Sequence, residues 1–498
     1  MRADDRKRVC IVGGGLAGGI VAARMAAAGH RVTLIEQGMT PAPLMPTDET
    51  WEGDGLKSAF TRGEGLGGSS NFWHGGLIAL DASDIEAPGC PGGSPKYPIS
   101  YARLCGYYRQ ALHLLSDAEI SMDDLTAADG EGVSVAIDQA LFEPKVLIFP
   151  SKPFSTKSLL ENAQRRDGLE IVTMTADTLL FDGESRATAV QGIAHPSGQS
   201  TTVAADLFVL CAGGIGSVKV LLNAAAVNPA LAKLPIGRNI TDHPTGFVFK
   251  AKLKARRNLK RMFGSAYGKT GHFRRRLGIK LKDDSLGIAA HRNHALYLRP
   301  AFSMRNPRDY NVLKNRLVWH RGAKITLWEK LQLFRYLDLL MEALNFRFGV
   351  FPSVRYIAGF VFAEQFPAET NCIVRDADGR FTIHWRISKP DTASLEGFLG
   401  AFLHSQKDLV EEFVLFSDLL DSGAHHSGGC RIASTPTDGV VDEDLRVFGT
   451  TNLFVADGSV LAYTGHANTG LTIAAFALMC VDSLQRELTA DRLPTRVS

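Results

Sequence analysis

The chain has 498 residues, 45% of them hydrophobic and 21% charged, with a formal net charge of +3. That composition excludes wholesale disorder, a fibrous repeat and a small disulfide scaffold, and the length fits two interleaved domains around a large core. Seven cysteines, at positions 10, 90, 105, 211, 372, 430 and 480, form no CxxC pair and no metal-ligand spacing, so reduced thiols and no metal site are expected.

The start, MRADDRKR followed by Val9–Val12, offers too short an apolar stretch for a secretory leader. Arg8–Val12 reads as a strand, the glycines after it as a turn, Ala17–Ala28 as an alanine-rich helix and Arg31–Glu36 as a second strand, together a βαβ unit. Residues 168–211 read as alternating strands with hairpins at Gly183 and Gly198, closed by the strand Leu207–Cys211, and 216–226 as helix. From Thr245 to Ser417 extended segments (Phe247–Leu253, Ala295–Leu298, Ile357–Ala363, Phe381–Ile387) surround one amphipathic helix, Trp328–Asn345, and Asp378-Gly379 marks a hairpin. The longest apolar run, Leu471–Val481, falls short of the ~20 residues that span a bilayer, so a cytoplasmic protein, in solution or peripheral to the membrane, is expected.

Gly13-Gly14-Gly15-Leu16-Ala17-Gly18 matches GxGxxG, and Glu36 closes the second strand 18 residues beyond Gly18. Gly13 permits the tight turn, Gly15 lets backbone approach a diphosphate, Gly18 allows helix to pack on strand, and Glu36 accepts from ribose hydroxyls. The plainer alternative is a glycine cluster that merely caps a helix. The glycine-rich segment 62–76, with Gly67, Gly68, Ser69, Asn71, Phe72, Trp73 and His74, is longer than an NAD site needs and suits a flavin dinucleotide.

With these residues in view, the chain resembles the glucose-methanol-choline (GMC) oxidoreductases. The resemblance rests on the fingerprint at 13–18, on GLGGSSNFWHGG at 65–76, on CAGGIGS at 211–217 and on GRNITDHP at 237–244. It continues in HHSGGCR at 425–431, LFVADGS at 453–459 and NTGLTI at 468–473, while Ala363–Pro367 with Asn371 resembles the pyranose-oxidase-like bacterial members. The family implies an α/β fold: a Rossmann-like FAD-binding domain (1–80, 150–245 and 420–498) interleaved with a substrate domain (81–149 and 246–419) on a mixed or antiparallel sheet with helices. It also implies flavin-dependent oxidation of an alcohol, here a sugar, glycoside or polyol, with oxygen, a quinone or a carrier protein as electron acceptor. Phe72 stands where members carry a histidine that can attach covalently to the flavin, so non-covalent FAD is expected.

By the same resemblance His425 is the catalytic base, Asn468 its partner on the substrate oxygen, and Asp457 a flavin contact; Thr469 opens a helix whose N-terminus is aimed at the flavin ring. His426 is the rival base, and His466 either lines the substrate pocket or sits in a solvent-exposed loop. Two other functions stay open: a flavin protein of this fold without net redox turnover, lyase-like or structural, and an NAD-dependent dehydrogenase. The segment Lys250–Lys282 holds 13 Lys/Arg and no acidic residue. With the helix 328–345 it suits an anionic membrane or polyanionic partner, or else a solvated insertion over the substrate pocket. No nucleic-acid motif accompanies the charge.

Overall fold

A computed structural model describes residues 7–44, 46–53, 62–73, 75–86, 96–117, 119–126, 138–165, 168–258, 269–270, 273–282, 294–306, 327–328, 331, 337, 340, 353–416 and 420–490. The chain opens as expected: β1 (Arg8–Val12), α1 (Leu16–Ala27) and β2 (Arg31–Glu36). Val9–Val12 are all buried, as a central parallel strand covered by helices requires, and Gly29, at φ +86°, ends the helix in a left-handed residue.

Short strands β3 (Ala42–Pro43), β4 (Glu49–Gly53) and β5 (Gly63–Glu64) lead to the helices α2 (Ala82–Glu86), α3 (Tyr101–Leu115) and α4 (Met122–Thr126). After them come β6 (Phe142–Pro150), α5 (Thr156–Gln164), β7 (Leu169–Asp182), β8 (Arg186–Ala194), β9 (Ser200–Ala204), β10 (Leu207–Leu210) and α6 (Gly213–Ala225). Next are β11 (Thr245–Asn258), β12 (Lys269–Thr270), β13 (Phe273–Leu281), β14 (Ala295–Ala301), β15 (Ser353–Phe362), β16 (Cys372–Arg375) and β17 (Phe381–Trp385). The chain closes with α7 (Lys389–Ser405), β18 (Val410–Leu415), β19 (Leu453–Val455) and α8 (Thr469–Ala490).

One seven-stranded sheet runs β19-β10-β1-β2-β7-β8-β9, parallel from β19 to β7 and antiparallel beyond it. The hairpins at Gly183 and Gly198 are present, both glycines at positive φ. A second sheet runs β12-β13-β14-β15-β11-β18, with β6 antiparallel to β13, and α7 packs Phe398 and Phe402 against Phe142. A smaller sheet, β16-β17-β4, brings the chain near residue 50 beside residue 385. The observed architecture is therefore mixed α/β with a Rossmann-like sheet beside an antiparallel one.

The basic stretch is described only in part, and residues 259–268, 271 and 272 lie outside those described. In its described parts, β12, β13 and most of β11, Leu253 and Phe273 are buried in the core, as is Phe249 just before it. Lys250 and Lys280 are buried too, and Lys280 Nζ binds Asp81 Oδ2 at 3.0 Å and Glu143 Oε1 at 2.7 Å. Alternating apolar and basic residues here follow the two-residue period of a strand. Of the amphipathic segment 328–345, residues 328, 331, 337 and 340 are helical, and Trp328, Leu331 and Leu337 are exposed; its other residues lie outside those described. Among the described residues no helix is long and apolar enough to cross a membrane.

Candidate active site

The fingerprint turn joins β1 to α1. A Cβ on Gly13, which sits at φ +100°, would lie 2.4 Å from the Cys211 carbonyl oxygen, and one on Gly18 would lie 1.9 Å from the Gly13 carbonyl oxygen. These two glycines are demanded by the packing of the chain on itself. Gly15 is not: a Cβ there meets nothing within 4 Å, and α1 carries neither a side-chain cap nor an acidic residue in its first turn. An uncapped helix start behind open space is what a diphosphate needs.

Glu36 closes the cradle from β2. Its Oε2 accepts the Gly14 amide at 2.7 Å, and its Oε1 accepts those of Gln37, Gly65 and Gly38 at 2.9, 3.1 and 3.4 Å. Burial pushes the carboxyl up while these amides pull it down. Glu36, expected from the sequence to accept from ribose hydroxyls, ties the fingerprint to the second glycine segment through these four amides. Gly68 comes within 3.1 Å of Gly15, measured from its ideal Cβ to the Gly15 Cα.

In that second segment the side chains of Ser69 and Asn71 turn inward. Ser69 Oγ accepts the Gly63 amide at 3.0 Å, and Asn71 Nδ2 donates to the Leu66 and Gly68 carbonyls at 3.0 Å. Both fold the loop, which sets the backbone of Gly67 and Gly68 beside the fingerprint turn. Phe72 packs its ring on Gly63, and Trp73 lies against Gly470 with its indole N–H buried and without a partner among the described residues. His74 lies outside the described residues.

Asp457 departs from the expectation in the same way. Its Oδ1 accepts the Ser459 amide and hydroxyl at 2.8 and 2.6 Å, and its Oδ2 accepts the Gly213 amide at 2.9 Å and the Ser217 hydroxyl at 2.5 Å. The carboxylate is taken up in tying the end of β19 to the start of α6, which leaves it no acceptor site for a flavin hydroxyl.

The histidines gather where the loop 421–427 meets the start of β11. His425 sets its ring edge-on to His243, with centroids 5.3 Å apart, and its Nδ1 has no partner among the described residues. His426 turns elsewhere: its Nδ1 faces Asp242 Oδ2 at 3.3 Å, its ring lies 5.4 Å from that of Trp51 on β4, and its side chain is 7% exposed. Burial lowers the His425 imidazole, Asp242 pulls it back, and His426 lowers it again, with a net downward shift. His243 is pushed down to about 3, chiefly by burial and then by His425. Burial works to raise the Asp242 carboxyl, but His426, His425 and Ser422 outweigh it and hold the group well below the usual range.

Asn468 immediately precedes α8, with Thr469 as that helix's first residue, as expected. Its Nδ2 lies 3.1 Å from where a Cβ on Gly76 would sit, which places it against the end of the second glycine segment. His466 is fully buried rather than solvent-exposed, with neither ring nitrogen partnered among the described residues. Its Nε2 stands 3.8 Å from Asp81 Oδ2. Asp81, Asp84 and His466 lie close enough to hold a cation, but Lys145 and Lys280 already bind Asp81 at 2.5 and 3.0 Å, so two ammonium groups occupy that role. Sequence reasoning missed Asp242 as a site residue, although it stands in the GRNITDHP block.

Residues 151–245 and 389–477 match the two parts of the GMC oxidoreductase family, and 11–64 match NAD(P)-binding Rossmann-like domains. The chain is 28% identical over 139 residues to 2-methyl-1,2-propanediol dehydrogenase of Mycolicibacterium austroafricanum, covering 26% of this chain and 25% of that one. It is 54% identical over 54 residues to cholesterol oxidase of Acinetobacter baumannii, covering 11% and 10%. The chain thus spans a quarter or less of the length of these curated relatives. The fold of pyridoxine 4-oxidase from Mesorbium loti superposes with a TM-score of 0.56 at 16% identity, over 97% of this chain and 99% of that one. The family and the dinucleotide-binding domain imply FAD as cofactor, and the residues present fit it: open space before Gly15, an uncapped α1 and backbone at Gly67 and Gly68. The chain belongs to the GMC oxidoreductase family.

Proposed function

We propose that this protein oxidises an alcohol to a carbonyl with non-covalently held FAD, using His425 as the base and Asn468 as the group that steadies the substrate oxygen. The observation that carries the reading is His425 itself. It stands where the resemblance puts the catalytic base, and burial lowers its proton affinity, so it is neutral near pH 7 and able to accept a proton. The flavin, when bound, supplies the acceptor for the hydride. His425 takes the hydroxyl proton, the carbon–oxygen bond becomes double, and the Asn468 amide donates to the oxygen on which charge develops.

Two relatives are named for a diol and a sterol, and we extend only the CH–OH donor to this chain, with sugars, glycosides and polyols as the first compounds to try. Phe72, which offers no attachment atom, supports non-covalent flavin. The test is anaerobic mixing of the purified yellow protein with a panel of alcohols. Bleaching of the flavin's visible band by at least one of them is the expected result. A flavin that no alcohol reduces would favour a role without net redox turnover, and colourless protein that takes up no FAD would favour a nicotinamide enzyme.

A further inference from the structure

We propose that Asp242 is the positioning residue of this site: its carboxylate shapes the histidine loop so that His425, rather than His426, is presented to the substrate. This rests on the reading of His425 as the base. The loop 421–427 is laddered on the start of β11 at both ends. Thr245 and Asp421 exchange backbone hydrogen bonds at 2.8 and 3.0 Å, and Thr241 and Ser427 exchange two at 2.9 Å. Between these rungs the loop arches away, and Asp242 fills the gap.

Its Oδ1 accepts the amides of His243 at 2.6 Å and His425 at 2.9 Å, and its Oδ2 accepts the Ser422 hydroxyl and faces His426 Nδ1 at 3.3 Å. Ser422 Oγ in turn accepts the amide of Ala424, a non-glycine residue in the left-handed region at φ +61°. Such a conformation persists only where the surroundings impose it. Here the chain Asp242–Ser422–Ala424 holds the turn from which the two histidines diverge, one toward His243 and the other toward Asp242 and Trp51. Asp242 is fixed in its own right, because its amide donates to Gln365 Oε1 at 3.0 Å, an oxygen that also accepts the Trp385 indole at 2.9 Å. A buried carboxylate holding three groups of one loop and the amide of its own neighbour His243 is oriented by the whole neighbourhood, and no neutral residue accepts as many hydrogen bonds.

The charged and titratable groups around His425 are Asp242, His426 and His243. Of these only Asp242 favours the protonated ring. The experiment compares flavin-loaded wild type, Asp242→Asn, Asp242→Glu and His425→Gln in anaerobic flavin reduction across pH. The His425 ring is titrated in parallel by NMR of histidine-labelled protein, with His425→Gln identifying its signal. Asp242→Asn is expected to slow reduction about 10- to 10²-fold, the usual loss on misplacing a reacting group. The His425 midpoint and the acid limb of the rate should both move to lower pH, by about one unit. Asp242→Glu keeps the charge but displaces it, so the midpoint should stay near wild type while the rate falls about tenfold. A slower Asp242→Asn with an unmoved midpoint, or Asp242→Glu at the wild-type rate, overturns the proposal. Should Asp242→Asn fail to fold, Asp242→Glu alone decides. Wild-type reduction by His425→Gln would instead overturn the identity of the base, a result independent of the Asp242 variants.

Discussion

Gly13, Gly15 and Gly18 belong to one motif, yet the packing assigns them different kinds of work, and substitution should separate them. In Gly15→Val the backbone is extended at φ −72° and ψ −168°, a conformation any residue adopts, and the added carbons start from a point with nothing within 4 Å. Loss of a good helix cap and loss of unfolded-chain entropy work in opposite directions, each about 0.5–1 kcal/mol, so the flavin-free protein should keep its stability to within about 1 kcal/mol. Gly18→Ala forces a methyl to 1.9 Å from a backbone oxygen, and overpacking of that kind costs roughly 1–3 kcal/mol before any cofactor is considered. Flavin at about a hundred times its dissociation constant stabilises a protein by about 2.7 kcal/mol. Thermal unfolding of flavin-free protein, with and without added FAD, together with flavin content by absorbance, gives both quantities. The expected pattern is an unchanged flavin-free melt for Gly15→Val with no upward shift on adding FAD, against a lowered flavin-free melt for Gly18→Ala. Wild-type flavin affinity in Gly15→Val, or a flavin-free melt as low as that of Gly18→Ala, would refute the division of labour.

Under anaerobic conditions with saturating substrate, His425→Ala should slow flavin reduction by about 10² to 10⁴ while His426→Ala loses much less; the reverse order would exchange their roles. Asn468→Ala should slow the same step by about 10² to 10³, as for one lost donor to a developing oxyanion, with flavin content unchanged. Acid precipitation should release the flavin into the supernatant, and flavin retained by the pelleted chain would point to covalent attachment. Because the Asp242 carboxyl is held well below its ordinary value in the folded protein, it stabilises the fold above the unfolded carboxylate range and loses that contribution as pH falls through about 4 and below. The stability gap between wild type and Asp242→Asn, measured by denaturant titration, should therefore be full at pH 7 and narrow toward pH 3.

The βαβ start, the hairpins at Gly183, Gly198 and Gly379, and the helix from Thr469 were legible because each is written in neighbouring residues: alternation, a turn glycine, an apolar run. Asp242 was not, since its meaning depends on residues 422–426, which only the fold brings beside it. The same distance effect hid the partner of Lys280, because Asp81 lies some two hundred residues earlier. Ser69, Asn71 and Asp457 were recognised as residues of the right loops. Whether a short polar side chain faces a ligand or its own backbone is decided by local hydrogen bonding that a motif does not encode.

The position of β19 has a consequence for synthesis. The parallel sheet's edge strand, Leu453–Val455, follows about 240 residues after β10, and it covers that strand, whose residues Leu207–Leu210 are all buried. A ribosome that has released the first 450 residues therefore holds a sheet with a bare, wholly apolar border, open to pairing with any other unfinished strand. Expression of fragments that stop short of residue 453 should yield insoluble material even when every glycine of the dinucleotide cradle is present, and slow elongation through 211–452 is the interval in which a chaperone would matter most.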